Sequence, residues 1–282
     1  MEKLFTKIIP FFILVLLAPT IALAHQPRIT ESRLTTVTDP EISKAYYGEL
    51  TGVPDVYQTH ASEAFDLYVN VLVPDIERQK KDVSATIFKD GNEIAILDGT
   101  TFAWKQFSEP FGHDSYWMGP EYKARAEAGE YEIRVMSTDN DSKYSLAVGE
   151  IENFDFKETM NALKLIPQLK KNFFNESPAD FIFSPFGWGL IVILYIVAFI
   201  AGLLYRTILK RVAKGTVRGV HKNIGWGDRL LRLAIGVGLL LWAITTSWSP
   251  ILIFSSGFAI FEAIFCWCGV YAALGKNTCP LE

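Results

Sequence analysis

Phe181 to Tyr205 is a run without a single charged side chain. A stretch of about 20 apolar residues is what crosses ~30 Å of hydrocarbon. With Leu230 to Ser247 and Ile251 to Tyr271, this run therefore constrains the fold before any other feature. Three transmembrane helices are expected, at 181–205 and within a hairpin at 230–271. The last two are joined only by Trp248-Ser249-Pro250, a connection short enough to force an antiparallel pair. Trp188, Trp226, Trp242, Trp248 and Trp267 fall near helix ends or faces, where interfacial anchoring places indoles.

The charge follows the same division. The 282 residues carry a formal net charge of only −4, yet residues 25–180 hold 16 basic against 27 acidic residues and residues 181–282 hold 9 against 3. Such asymmetry means the two parts live in different surroundings, and it excludes a single uniform soluble domain. Arg206, Lys210, Arg211, Lys214, Arg218, Lys222 and Arg229 crowd a loop at 206–229 whose one acid is Asp228. By the positive-inside rule this loop is cytoplasmic. Bases beside a membrane meet the needs of orientation and anionic headgroups, and no groove-reading fold accompanies them, so no nucleic-acid partner is expected.

The first 24 residues read as a signal peptide: Lys3 and Lys7, the apolar run Ile8 to Leu17, and the small-x-small site Ala22-Leu23-Ala24. That places residues 25–180 outside the cytoplasm, with the C-terminus and the tail 272–282 inside. Within 25–152 the texture is that of short strands. Phe65 to Val73 alternates apolar and polar; Ser84 to Phe88 and Glu93 to Leu97 flank an Asp90-Gly91 turn; Glu130 to Met136 and Lys143 to Val148 flank a polar turn. An antiparallel, jelly-roll-like β-sandwich is expected, with Phe65, Leu67, Val69, Val71, Tyr131, Ile133 and Val135 in its core. The aromatic segment Phe107 to Tyr122, punctuated by Pro110, Gly112, Gly119 and Pro120, reads as a loop that either contacts a glycan or protein or plugs one end of the sandwich. The segment 153–180 has a helical pattern over Glu158 to Lys171 with Pro167 inside it. It suits either an amphipathic helix on the bilayer surface or a linker packed on the sandwich.

Two resemblances follow from motifs. Gly129-Glu-Tyr-Glu-Ile-Arg-Val135 with Tyr144-Ser-Leu-Ala-Val148 resembles the closing hairpin of bacterial pre-peptidase C-terminal-type sandwiches. Asn223-Ile-Gly-Trp-Gly-Asp228-Arg229-Leu-Leu-Arg232, together with Cys268-Gly-Val-Tyr271 and Leu274-Gly-Lys-Asn277-Thr278-Cys279-Pro280, resembles the YgaP-like inner-membrane transmembrane domain over about residues 221–282. That resemblance implies a two-helix membrane domain of largely unknown function, found alone or fused to other modules such as rhodanese domains. Gly269 stands where the family commonly has proline, and no rhodanese segment accompanies the domain, so sulfur transfer is not implied.

Glu262 is the only carboxylate inside an expected span, and its natural partner is Arg229 or Arg232. Asp228 in a first helical turn complements the helix dipole. Glu262 and Cys266, four apart, are expected on one helix face, with Cys268 diverging from Cys266. Cys268 and Cys279 meet if the chain folds back after Gly275. The cysteines then serve as packing residues, as a thiol or persulfide carrier, or with His221 as a zinc set. His25, as a new N-terminus, offers an amine and imidazole for copper, with His60 or His113 adding a second ring. Small residues Ala234, Gly238, Ser255 and Ala259 provide faces for homo-oligomerisation. No nucleophile triad or phosphate loop is present, which leans against an enzyme. The reading is a bacterial inner-membrane protein presenting an extracytoplasmic module to a protein or glycan, with sulfur handling and copper binding as alternatives.

Overall fold

Alternation in the acidic segment builds two sheets. Six strands stand in the order β1 (Gln26–Ile29), β3 (Lys44–Glu49), β11 (Lys143–Val148), β5 (Phe65–Pro74), β9 (Asp114–Ala126) and β8 (Lys105–Glu109). Five stand in the order β2 (Leu34–Thr36), β4 (Asp55–Ala61), β10 (Gly129–Met136), β6 (Ser84–Lys89) and β7 (Asn92–Leu97). The computed structural model describes residues 25–212 and 222–279, so the expected signal peptide, the middle of the basic loop and His221 lie outside the described residues. The described chain divides into two compact units between Glu176 and Ser177.

The inner faces of the two sheets share one core. Leu67, Val69 and Val71 of β5, Ile87 of β6, Ile133 and Val135 of β10 and Leu146 of β11 are buried there, as the alternation predicts. Tyr57 and Tyr144 hydrogen bond to each other at 2.7 Å across this core, and the Tyr144 hydroxyl donates to Asp55 Oδ2 at 2.7 Å. Gly48 is required beneath Tyr144, because a Cβ there would sit 2.5 Å from the phenol ring. The β6–β7 turn takes positive φ at Asp90 (49°) and Gly91 (80°), the geometry that a two-residue hairpin demands.

Three expectations are corrected here. The sandwich is not wholly antiparallel: β1 pairs parallel with β3, and β2 parallel with β4. The chain switches sheets between β1 and β2 and again before β3, so each short strand adds to an edge rather than folding back as a hairpin. Likewise β10 and β11 stand in different sheets, and the polar turn between them carries the chain across the core. The aromatic segment is the β8–β9 hairpin rather than a loop. Its Pro110 and Gly112 form the turn. Gly119 and Pro120 form a bulge against β5, where Asn70 Nδ2 donates to both carbonyls at 3.2 Å.

Helix α1 (Phe156–Gln168) starts at Asp155, whose Oδ1 accepts from Glu158 N at 2.7 Å, and passes into a π turn at Leu169–Phe173 directly after Pro167. The segment belongs to the β-rich unit. Leu169, Phe173 and Phe174 pack with Leu72, Tyr116 and Ala147 on the outer face of the six-stranded sheet, so the apolar side expected for a bilayer surface is already covered by protein. This also explains why β5 and β11 are buried on both faces. Lys170, 1% exposed, bonds Asp114 at 2.6 Å and Glu176 at 2.9 Å. Burial opposes its charge, but the two carboxylates outweigh that and hold the ammonium protonated beyond its ordinary range.

Beside this pair lies a cavity of about 60 Å³, lined by His25, Tyr47, Glu109, Asp114 and Tyr116 among others. Burial pushes the Glu109 carboxyl up to about 7, against the pull of backbone amides from Gly112 (2.6 Å) and Phe111 (2.8 Å). An acid whose folded-state value is raised binds more protons folded than unfolded. Stability at this site is therefore fully present below about 4.5, the unfolded value, and is lost as pH rises through about 7. Glu109→Gln is expected to flatten the decline in chemical-denaturation midpoint between those pH values; an unchanged slope would refute the assignment.

The second unit opens with a 3₁₀ turn at Pro178–Phe183, closed by a reciprocal cap between Ser177 and Asp180. Helices α2 (Pro185–Val212), α3 (Trp226–Thr246), α4 (Pro250–Phe265) and the short α5 (Gly269–Leu274) follow. Among the described residues, α2 and α3 are long and apolar enough to cross a membrane. The third expected span is shorter than the other two: α4 has 16 residues and stops at Cys266, which adopts φ 54° in the left-handed region. Sixteen residues rise only about 24 Å.

The three long helices meet at buried Ser256, whose Oγ donates to Gly236 O of α3 at 2.7 Å. With its one proton used, it accepts from Tyr195 Oη of α2 at 2.7 Å. Gly236, Gly257 and Gly202 provide the close approaches, against Ile260, Tyr195 and Phe261 respectively. These contacts within the chain use other small residues than the Ala234, Gly238, Ser255 and Ala259 expected to serve homo-oligomerisation, and Gly238 faces open space. Trp248 Nε1 donates to Pro178 O at 2.7 Å, and its ring meets Phe181 edge-on, which puts the α3–α4 connection at the same end of the unit as the start of α2.

Candidate functional site

The polar residues that the sequence singles out in the helical unit converge where α4 breaks. A helix end leaves amides and carbonyls without partners. Here Asn223, fully buried, supplies both for Cys268: its Nδ2 donates to Cys268 O at 2.9 Å and its Oδ1 accepts from Cys268 N at 2.8 Å. The amides of Asn223 and Ile224 in turn donate to Cys266 O at 3.0 and 3.4 Å. Arg229 Nε donates to Ala263 O at 3.0 Å.

Glu262 bonds Arg232 rather than Arg229. Its Oε2 accepts from Arg232 Nε at 2.9 Å, and its Oε1 accepts from Gly269 N at 3.3 Å. One carboxylate thereby neutralises a cation and closes the chain reversal after α4. The Arg232 guanidinium also lies over the Tyr271 ring at 5.0 Å and within hydrogen-bonding reach of the Cys268 sulfur. Thr278 seals the site: its amide donates to Asn223 O at 3.1 Å, and its Oγ1 accepts from Gly225 N at 3.1 Å while donating to Asp228 Oδ2. Gly225 tolerates no side chain against Thr278 O.

Cys266 does not share a face with Glu262, because the left-handed turn takes its side chain off the helix. The three cysteines are free thiols; Cys268 is buried, whereas Cys266 and Cys279 are half-buried. Among the described residues no three His, Cys, Asp or Glu side chains gather as a metal-binding group. In the other unit His25 Nδ1 is hydrogen bonded to Ser43 Oγ, and burial lowers its basicity. His60, on the five-stranded sheet, bonds Glu130 at 2.6 Å, and His113 sits at φ 59° in the β8–β9 turn. His60 thus stands on the other sheet from His25, whereas His113 adjoins the same six-stranded sheet. Asn223, Thr278 and Tyr271 are the participants whose roles residue-type reasoning missed. All three lie inside the quoted motifs, and nothing in their chemistry separates them from ordinary polar turn residues until the break at Cys266 is known.

Residues 220–282 match the family model of the inner membrane protein YgaP-like transmembrane domain. The YgaP-like segment thus takes in α3, α4, α5 and the whole hydrogen-bonded site. No curated protein matches the chain. Among solved structures, the pre-peptidase C-terminal domain of a collagenase from Bacillus anthracis is similar at 13% identity and TM-score 0.26, over 41% of this chain and 92% of that one. A CBM36-1 domain of a xylanase from the hindgut metagenome of Trinervitermes trinervoides matches at 13% identity and TM-score 0.20, over 38% and 77%. CorA, a surface-associated copper-binding protein of Methylomicrobium album BG8, matches at 8% identity and TM-score 0.22, over 44% and 98%. Likenesses this slight carry no argument about ligand or metal.

Asn223→Ala leaves both backbone groups of Cys268 without partners inside the YgaP-like segment, at about 1–3 kcal/mol for each. In a Cys266→Ser, Cys279→Ser background, the alkylation rate of Cys268 is expected to rise by at least an order of magnitude, as it should at about 1.4 kcal/mol per tenfold. An unchanged rate would show that the amide does not hold the turn.

Proposed function

We propose that this chain is a bacterial inner-membrane protein that displays its β-rich unit outside the cytoplasm as a recognition module for a protein or glycan. The YgaP-like segment serves as anchor and coupling element and has no catalysis of its own. The observation that carries this reading is the fate of the intramembrane polar groups. Glu262 and Arg232 pair with each other, and Asn223, Asp228 and Thr278 are spent on backbone and on one another. A proton or substrate path needs such groups free to exchange partners. These instead close a chain reversal.

Counting the shorter α4, three crossings accord with the bonding at the two ends. Thr278 bonded to Asn223 returns the tail to the end where α3 begins, while Trp248 bonded to Pro178 occupies the opposite end. Lys210, Arg211, Lys222, Arg229 and Lys276 belong to the first end, which the positive-inside rule orients to the cytoplasm. Residues 25–180 are then outside, reached after cleavage of a signal peptide at 1–24. In intact cells a membrane-impermeant maleimide should label Ser115→Cys on β9 and spare the three native cysteines until the inner membrane is opened. Labelling of Cys279 beforehand would overturn the orientation.

A second reading, a thiol or persulfide carrier, has one observation in its favour: the Arg232 guanidinium beside the Cys268 sulfur. It requires Cys268 to become accessible. If Cys268→Ser leaves the sulfane sulfur recovered on the purified protein unchanged, the carrier reading falls while the anchor reading stands.

A further inference from the structure

Arg229 and Arg232 are one turn apart on α3, yet they are placed differently. Arg232 is neutralised by Glu262. Arg229 has no acidic partner among the described residues; its Nε is fixed on Ala263 O at 3.0 Å, and its two Nη groups meet no protein acceptor there. Ala263 O is available because α4 ends at Phe265, so the carbonyl lacks the amide that a continuing helix would bring. The helix break thus orients a guanidinium and leaves its fork unfilled.

That guanidinium opens onto a groove of about 190 Å³ between α3 and α4, lined by Trp226, Arg229, Leu230, Leu233, Ala263 and Ile264. Positions 226, 229, 230 and 233 recur at helical spacing and share one face of α3. Trp226, Leu230, Leu233 and Ile264 are all exposed. The groove is graded along its length: an indole and a cation at the end where α3 begins, then branched aliphatic side chains toward the middle of the helix. Lys222 and Lys276 add positive charge at the same end, whereas Asp228 is held by Thr278 and Glu262 by Arg232.

We propose that this groove binds one anionic phospholipid, with the headgroup phosphate on the Arg229 fork beside Trp226 and an acyl chain along Leu230, Leu233 and Ile264. A planar guanidinium with two free amino groups matches phosphate oxygens in bidentate fashion. An indole favours the headgroup level of a bilayer. The surplus of cations at this end selects a net negative headgroup over a zwitterionic one, whose ammonium would face Lys222 and Lys276. The inference rests on the helical unit lying in a bilayer but not on which side its basic end faces.

The full-length protein in detergent is titrated with phosphatidylglycerol and with phosphatidylcholine of identical acyl chains, and bound lipid is counted by native mass spectrometry. Phosphatidylglycerol should bind about tenfold more tightly, the scale of one charge-assisted bidentate contact. Arg229→Gln should abolish that preference, and Leu233→Gln should weaken both lipids while keeping it. Millimolar inorganic phosphate should not displace the lipid. Equal binding of the two lipids by the wild type, or a preference that survives Arg229→Gln, would overturn the site. Displacement by phosphate would reduce it to a bare anion site and overturn the lipid assignment. Should Arg229→Gln fail to fold, the wild-type comparison and Leu233→Gln still decide. A protein that does not reconstitute into vesicles at all would fail the membrane reading instead, a separate outcome from reconstitution without lipid selectivity.

Discussion

Hydrocarbon offers no water to receive a stray amide or carbonyl, and each one left unpaired costs several kcal/mol. That constraint governs the helical unit. Once α4 turns left-handed at Cys266, its last carbonyls and the amides beyond must find partners within the protein. Asn223, Arg229 and Glu262 supply them from three directions. Glu262, the two arginines and the asparagine then read as one solution to a single backbone problem. Even the ion pair is positioned by it, since the carboxylate that holds Arg232 also holds Gly269 N.

How far the sequence discloses this depends on whether a feature is periodic. The inward-facing residues of β5 and β10 were legible because period-two alternation encodes burial on one face. The apolar lengths of α2 and α3 were legible because hydrocarbon thickness fixes them. Strand partners were not, because two strands adjacent in sequence, such as β10 and β11, look the same whether they pair or straddle the core. The break at Cys266 was invisible for a related reason. A cysteine carries no left-handed preference, and Glu262 to Tyr271 continues the apolar run without a glycine or proline before Gly269. The Glu262 partner was narrowed to two arginines by charge alone; choosing between them needed the geometry of α3.

The β-rich unit uses polar groups in a comparable way on its outer face. The buried face of the arm formed by α1 and its π turn is apolar except for Lys170, and that lysine lands where Asp114 and Glu176 receive it. A buried cation of this kind contributes little net stability against a well-packed apolar residue, but its loss strands the carboxylates. It fixes where along the sheet the arm docks, since sliding by one turn would bury the ammonium without a partner. The helical pattern at 158–171 contained the lysines but gave no reason to send one inward.

Ser256 has a consequence for how the membrane part comes together during synthesis. Its hydroxyl lies on the last of the three long helices, whereas the phenol it receives from is on the first. Until α4 arrives, the Tyr195 hydroxyl faces lipid without an acceptor, and Gly236 offers an exposed notch where Ile260 will sit. Two helices released early would therefore be an unfinished surface, prone to recruit a polar group from another protein. The last helix acts as the keystone of the assembly, and packing of all three becomes a single commitment rather than three successive ones.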